Sequence, residues 1–87
     1  MNTFKLRIST PDGDLFDSDC AKLDVRGIEG DLAVMAGHVP FLTAIKPGRV
    51  NLMLPDGSDK SGHADGGILN VAKDKTTLLA SGFRWDK

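Results

Sequence analysis

Ten glycines and four prolines interrupt these 87 residues at strand-length intervals, and no stretch between them carries the 3.6-residue apolar period with capping signals that a helix requires. The intervening segments alternate instead. Phe4, Leu6 and Ile8 alternate with Lys5, Arg7 and Ser9, the pattern of a strand with one face in a core and the other in water. Thr10-Pro11-Asp12-Gly13 ends it, and Leu15-Phe16 gives a short second run. Leu23 and Val25 then alternate with Lys22, Asp24 and Arg26 in a third strand closing at Gly27.

The second half continues in the same way. After the turn Glu29-Gly30-Asp31, Leu32 to Met35 and Phe41 to Ile45 flank a bend at Gly37-His38-Val39-Pro40, where glycine can take a positive φ and proline blocks a helix. Lys46-Pro47-Gly48 turns the chain into Val50, Leu52 and Leu54. Pro55-Asp56-Gly57 is a turn, Lys60 to Ala64 pairs back as a hairpin, and Asp65-Gly66-Gly67 leads into Ile68 to Val71. Thr76 to Ser81 is the last strand, rich in β-branched and aliphatic residues. The chain is therefore all-β. With no helical crossovers to carry a βαβ arrangement, it reads as a sandwich or flattened barrel in one domain spanning residues 1–82. Residues 83–87 read as a short tail too brief for another element, with Phe83 or Trp85 folding back on the sandwich.

Composition excludes several classes of function. A hydrophobic fraction of 40% with 26% charged residues is too apolar for a disordered segment. A chain this short buries only about two thirds of the surface its unfolded form exposes, so its stability margin is modest. The net charge of −1, with lysines and arginines scattered among acids, gives no basic excess for a nucleic-acid backbone. Cys20 is the only cysteine, which rules out an internal disulfide and points to a reducing compartment. No run approaches the ~20 apolar residues of a membrane span, so any membrane association is indirect.

Candidate chemical sites are few. Asp12, Asp14, Asp17 and Asp19 invite a calcium-loop reading, but Leu23 stands where the bidentate Glu belongs and Leu15-Phe16 breaks the polar run. A solvated edge strand, its charges discouraging further pairing, explains them better. Gly57-Ser58-Asp59-Lys60-Ser61 lacks the spacing and the following helix of a phosphate loop. Cys20, His38 and His63 show no paired metal-ligand spacing, so no metal site is expected. A Cys20–His38 or Ser/His/Asp pairing stays open at this level, since such groups meet in space, although a domain this small offers little concavity. For His38 two roles stand side by side: stiffening its own bend, or touching a partner.

Several linked motifs run through the chain in order: Gly27-Ile28-Glu29-Gly30-Asp31, Gly37-His38-Val39-Pro40, Thr43-Ala44-Ile45-Lys46-Pro47-Gly48 and Gly66-Gly67-Ile68-Leu69-Asn70-Val71. Over almost its entire length the sequence resembles the epsilon subunit of the rotary ATP synthase. The resemblance implies a flattened antiparallel β-sandwich of two sheets, about ten short strands in all. It implies a non-catalytic rotor subunit that holds no catalytic nucleotide or other cofactor. Its partners would be the gamma subunit and the c-ring, at the cytoplasmic face of the bacterial inner membrane. Carried over by position, the c-ring contact falls on Glu29, Gly30 and Asp31, and the gamma contact on His38 and Thr43, with Asp65 nearby where relatives commonly have a small polar residue. Members of the family typically continue into two carboxy-terminal helices, which in many bacteria restrain ATP hydrolysis. Ending at Lys87, this sequence reads as a short form without that brake or as a truncated chain. A β-sandwich interaction module of an unrelated assembly is the alternative reading.

Overall fold

The computed structural model describes residues 2–86 and builds them from ten strands. These are β1 (Phe4–Thr10), β2 (Gly13–Cys20), β3 (Lys22–Gly27), β4 (Gly30–Met35), β5 (Phe41–Ile45), β6 (Gly48–Met53), β7 (Asp59–Ala64), β8 (Gly67–Val71), β9 (Thr76–Ala80) and β10 (Phe83–Trp85). One half of the molecule runs β10-β7-β6-β3 with β4 on the far edge of β3, and the other runs β5-β8-β9-β1-β2. A narrow seam joins them. Gly27 pairs with Ile45, the Lys46 N–H donates to the Arg26 carbonyl at 2.9 Å and the Ile28 N–H to the Ala44 carbonyl at 3.1 Å. The two layers expected from the sequence are thus two halves of one continuous hydrogen-bonded sheet. Pairing is antiparallel except between β1 and β9, which run parallel.

Alternation decides which residues meet between the halves. Leu23, Val25, Val50 and Leu52 of the first half and Leu6, Ile8, Leu69, Val71 and Leu78 of the second form a single core with Cys20. Opposite the seam, the terminal strands β2 and β10 approach through side chains: Phe16 meets the Trp85 ring edge-on at 6.3 Å, and Phe83 packs on Trp85 at 4.8 Å. Phe83–Trp85, read from the sequence as part of a tail, is therefore a strand, because its pairing with Gly62–Ala64 places both aromatics over the core edge.

The acidic run lies on edge strand β2 and is answered by cations from its neighbours. Lys5 pairs with Asp19 at 3.8 Å, Arg7 with Asp14 at 3.1 Å and Lys75 with Asp17 at 3.2 Å. The Arg7 guanidinium, with Ser9, holds the Asp14 carboxyl below the usual carboxylate range.

Cys20 is fully buried, its thiol facing the carbonyls of Lys22 and Met53 at 3.0 and 3.4 Å. Burial pushes this thiol above its ordinary value of 9.0, with smaller opposing contributions from the backbone at Lys22 and Met53. The folded chain therefore holds the proton to higher pH than the unfolded chain, and stability falls as pH rises past the unfolded value. Urea unfolding at increasing alkaline pH should show that decline, and its slope should be reduced in Cys20→Ala. An equal slope in both proteins would assign the decline to other groups.

Candidate interaction surface

The loop motif Gly27 to Asp31 closes the β3–β4 hairpin, with Gly27 opposite Gly30 and Arg26 opposite Asp31. Ile28 and Glu29 form the tip, and Ile28 is exposed there. Asp31 belongs to β4 and not to the turn itself. Its carboxylate lies 3.6 Å from Arg26 Nε, in a pair whose side chains are 60% and 82% exposed. At that exposure the pair adds little to stability, so Asp31 is free to exchange Arg26 for another partner.

Thr43 stands in β5 opposite Leu69, which puts its side chain on the inward side of the strand. It remains half-exposed because β5 meets β3 only at the seam. Together with Phe41 and Leu42 it borders a hollow of about 360 Å³ that the Gly27–Leu32 hairpin completes. The structure thus brings Thr43 beside Glu29, Gly30 and Asp31.

His38 lies beyond the other end of β5. The bend takes the form its residues require: Gly37 has φ +83°, and the His38 N–H donates to the Met35 carbonyl at 3.2 Å. The ring Nδ1 sits 3.0 Å from the Val39 carbonyl; since a carbonyl only accepts, Nδ1 carries the proton. The ring also tilts against Phe41 at 5.0 Å. His38 stiffens its own bend while staying exposed, so the two roles read from the sequence are compatible. Exposed His38 and buried Cys20 each have separate partners, and the pairing left open by the sequence is not assembled.

Asp65 is apart from both. It follows β7, its N–H donates to the Gly82 carbonyl at 2.9 Å, and its carboxylate is 4.0 Å from His63 Nε2. His38, Thr43 and Asp65 therefore do not form one compact patch. Phe41 links the first two, and Asp65 stands past the opposite end of β5.

One feature escaped the sequence reading. Ala44, Ile68 and Leu79 are cross-strand neighbours on the outer face of β5, β8 and β9, with Leu42 on the same side of β5. Leu42, Ile68 and Leu79 are 69%, 47% and 51% exposed. The signal was present in Phe41-Leu42, Ile68-Leu69 and Leu78-Leu79. Two consecutive large apolar residues in a strand cannot both face one core, so one of each pair points to solvent.

A ten-stranded curled β-sandwich with a polar hairpin loop, a stiffened bend and an apolar strip at its surface is the architectural class defined by these features. The chain belongs to the family of the ATP synthase, delta/epsilon chain, β-sandwich domain, whose model matches residues 3–86. It is 37% identical over 83 residues to the sodium-ion-specific ATP synthase epsilon chain of Acetobacterium woodii, covering 95% of this chain and 62% of that protein. Identity to the ATP synthase epsilon chain of Bacillus velezensis is 40% over 80 residues, covering 92% of this chain and 60% of the relative. The chain thus spans about three fifths of the length of these relatives. The fold matches a chain in the OSCP/F1/c-ring structure of Euglena gracilis mitochondrial ATP synthase with a TM-score of 0.91 at 18% identity, covering 98% of this chain and 54% of that one. A chain of the Tetrahymena thermophila mitochondrial ATP synthase central stalk and c-ring matches with a TM-score of 0.77 at 13% identity, covering 93% of this chain and 65% of the other.

Proposed function

We propose that this chain is a non-catalytic central-stalk subunit of a bacterial ATP synthase, joining the gamma subunit to the c-ring and helping couple ion flow to ATP synthesis. It works at the cytoplasmic face of the inner membrane, held there through the complex. The observation that carries this reading is family membership across residues 3–86. Two epsilon chains at 37% and 40% identity support it.

The surface chemistry fits such a role. Glu29, Gly30 and Asp31 meet the polar loops of the ring, where the weakly held Asp31 carboxylate can take a new partner. His38, Thr43 and Asp65 face gamma, and the strip of Leu42, Ile68 and Leu79 supplies apolar area that a protein partner can cover. On this reading the two contacts are adjacent, a view supported by the hollow that Thr43 and the loop border together.

Co-purification tests this directly. Tagged chain mixed with gamma should retain it, and Leu42→Asp should weaken retention by roughly tenfold or more, since a charge replaces exposed apolar contact area. Failure of the unaltered chain to retain gamma would contradict the proposal.

A further inference from the structure

Across the outer face of the β10-β7-β6-β3-β4 half runs a row of arginine and histidine side chains. Arg84 stands opposite His63, and His63 opposite Arg49, in the registers of β10, β7 and β6. Arg49 shares a hollow of about 520 Å³ with Arg26 of β3, which in turn stands opposite Asp31. Three guanidinium groups and one imidazole thus come from four adjacent strands at the inter-strand spacing of about 4.8 Å.

Like charges side by side across strands oppose folding, so a row of them is best satisfied when a complementary charge lies over it. Acids stand beside the row and pair with three of its four members. Arg49 Nη2 reaches Asp86 at 3.3 Å, His63 Nε2 reaches Asp65 at 4.0 Å and Arg26 Nε reaches Asp31 at 3.6 Å. These are longer than the 2.7–2.9 Å of a well-made charge-assisted hydrogen bond, so an incoming carboxylate can improve on them. Asp24 lines the hollow too, but Lys22 attends it at 3.8 Å. Arg84 makes no ion pair among the described residues.

We propose that this face binds an acidic protein segment, whose carboxylates seat on Arg26, Arg49 and Arg84. The arginines are spread along a row of four strands, so a single free anion reaches few of them at once. Beside the row, Asn51 and Ser61 are cross-strand neighbours and supply polar groups for a polypeptide backbone. A lipid surface has no backbone for these groups to meet, which favours a peptide. The inference extends beyond the stalk reading and does not rest on it, because Arg49 and Arg84 lie outside the Glu29–Asp31 loop.

Fluorescence anisotropy of a labelled glutamate-rich peptide against the full chain tests it, with a glutamine-rich peptide of equal length as control. At low ionic strength the acidic peptide should bind and the control should not, and added salt should weaken binding. The double variant Arg49→Gln/Arg84→Gln should bind roughly tenfold more weakly or worse. Its melting temperature should be no lower, since it loses only exposed pairs. The inference is overturned by absence of acidic-peptide binding, by equal binding of the two peptides, or by an unchanged double variant. Tighter binding to phosphatidylserine vesicles than to the peptide would also overturn it, in favour of a lipid partner. Retention of gamma by the double variant separates this outcome from failure of the stalk assignment.

Discussion

Gly67→Ala should destabilise the chain more than any other single added methyl group considered. A Cβ at Gly67 would collide with the carbonyl oxygen of Leu79 and come within 2.9 Å of the Ala80 Cα. Both obstacles are backbone of β9, fixed by the Gly67↔Ala80 and Ile68↔Leu79 pairs, so neither can rotate aside. The clash must push β8 from β9 or shift Gly67 itself, at a cost of roughly 2–3 kcal/mol. For a domain of this size that corresponds to a fall of about 10–20 °C in Tm. Gly37→Ala makes the useful comparison. Its Cβ meets open space, and only the positive φ of +83° opposes it, which costs about 1 kcal/mol. Thermal melts that rank Gly37→Ala as the more damaging substitution would contradict the packing account.

Thr43→Trp should leave the fold intact while severely weakening assembly. The hollow beside Thr43, about 360 Å³ and open to solvent, accepts a larger side chain in the isolated molecule. In the complex, the same indole would occupy space at both proposed contacts, because the hollow is bordered by β5 and by the Glu29–Asp31 loop. Gamma retention and ring-dependent activity should both fall by about tenfold or more, since close-packed interfaces tolerate added volume poorly. Asp31→Lys, by contrast, should impair ring-dependent activity more than gamma retention: it places a like charge beside Arg26 and reverses what the loop offers the ring. Equal losses for Asp31→Lys in the two assays would remove the assignment of that residue to the ring.

Much of the fold was legible because burial on one face imposes alternation. β1 and β3 follow from Phe4-Leu6-Ile8 and Leu23-Val25, and the edge position of the acidic segment follows from its charges. Strand β2 is longer than its Leu15-Phe16 signal, since an edge strand paired on one side needs few apolar residues to hold its place. Strand β10 was hidden by its brevity: three residues carry no period, and their pairing depends on β7, nearly twenty residues earlier in the chain. The parallel β1–β9 pair was equally hidden, as alternation fixes which face is buried but not which strand lies alongside.

The surface was less legible than the core. The motifs identified the hairpin and the bend, but the Arg26–Asp31 pair depends on cross-strand register, and the meeting of Thr43 with the loop depends on the seam at Gly27 and Ile45. The apolar strip was readable from doubled apolar residues, whereas the row of Arg84, His63, Arg49 and Arg26 draws on four strands that are scattered along the sequence.

The most direct measurement of the central claim is ion-driven ATP synthesis by membranes carrying an ATP synthase depleted of its epsilon subunit, before and after addition of this chain. Synthesis should recover with saturable dependence on chain concentration, and Thr43→Trp at the same concentration should restore far less. No recovery by a folded chain that demonstrably binds the depleted complex would contradict its role as a coupling part of the central stalk.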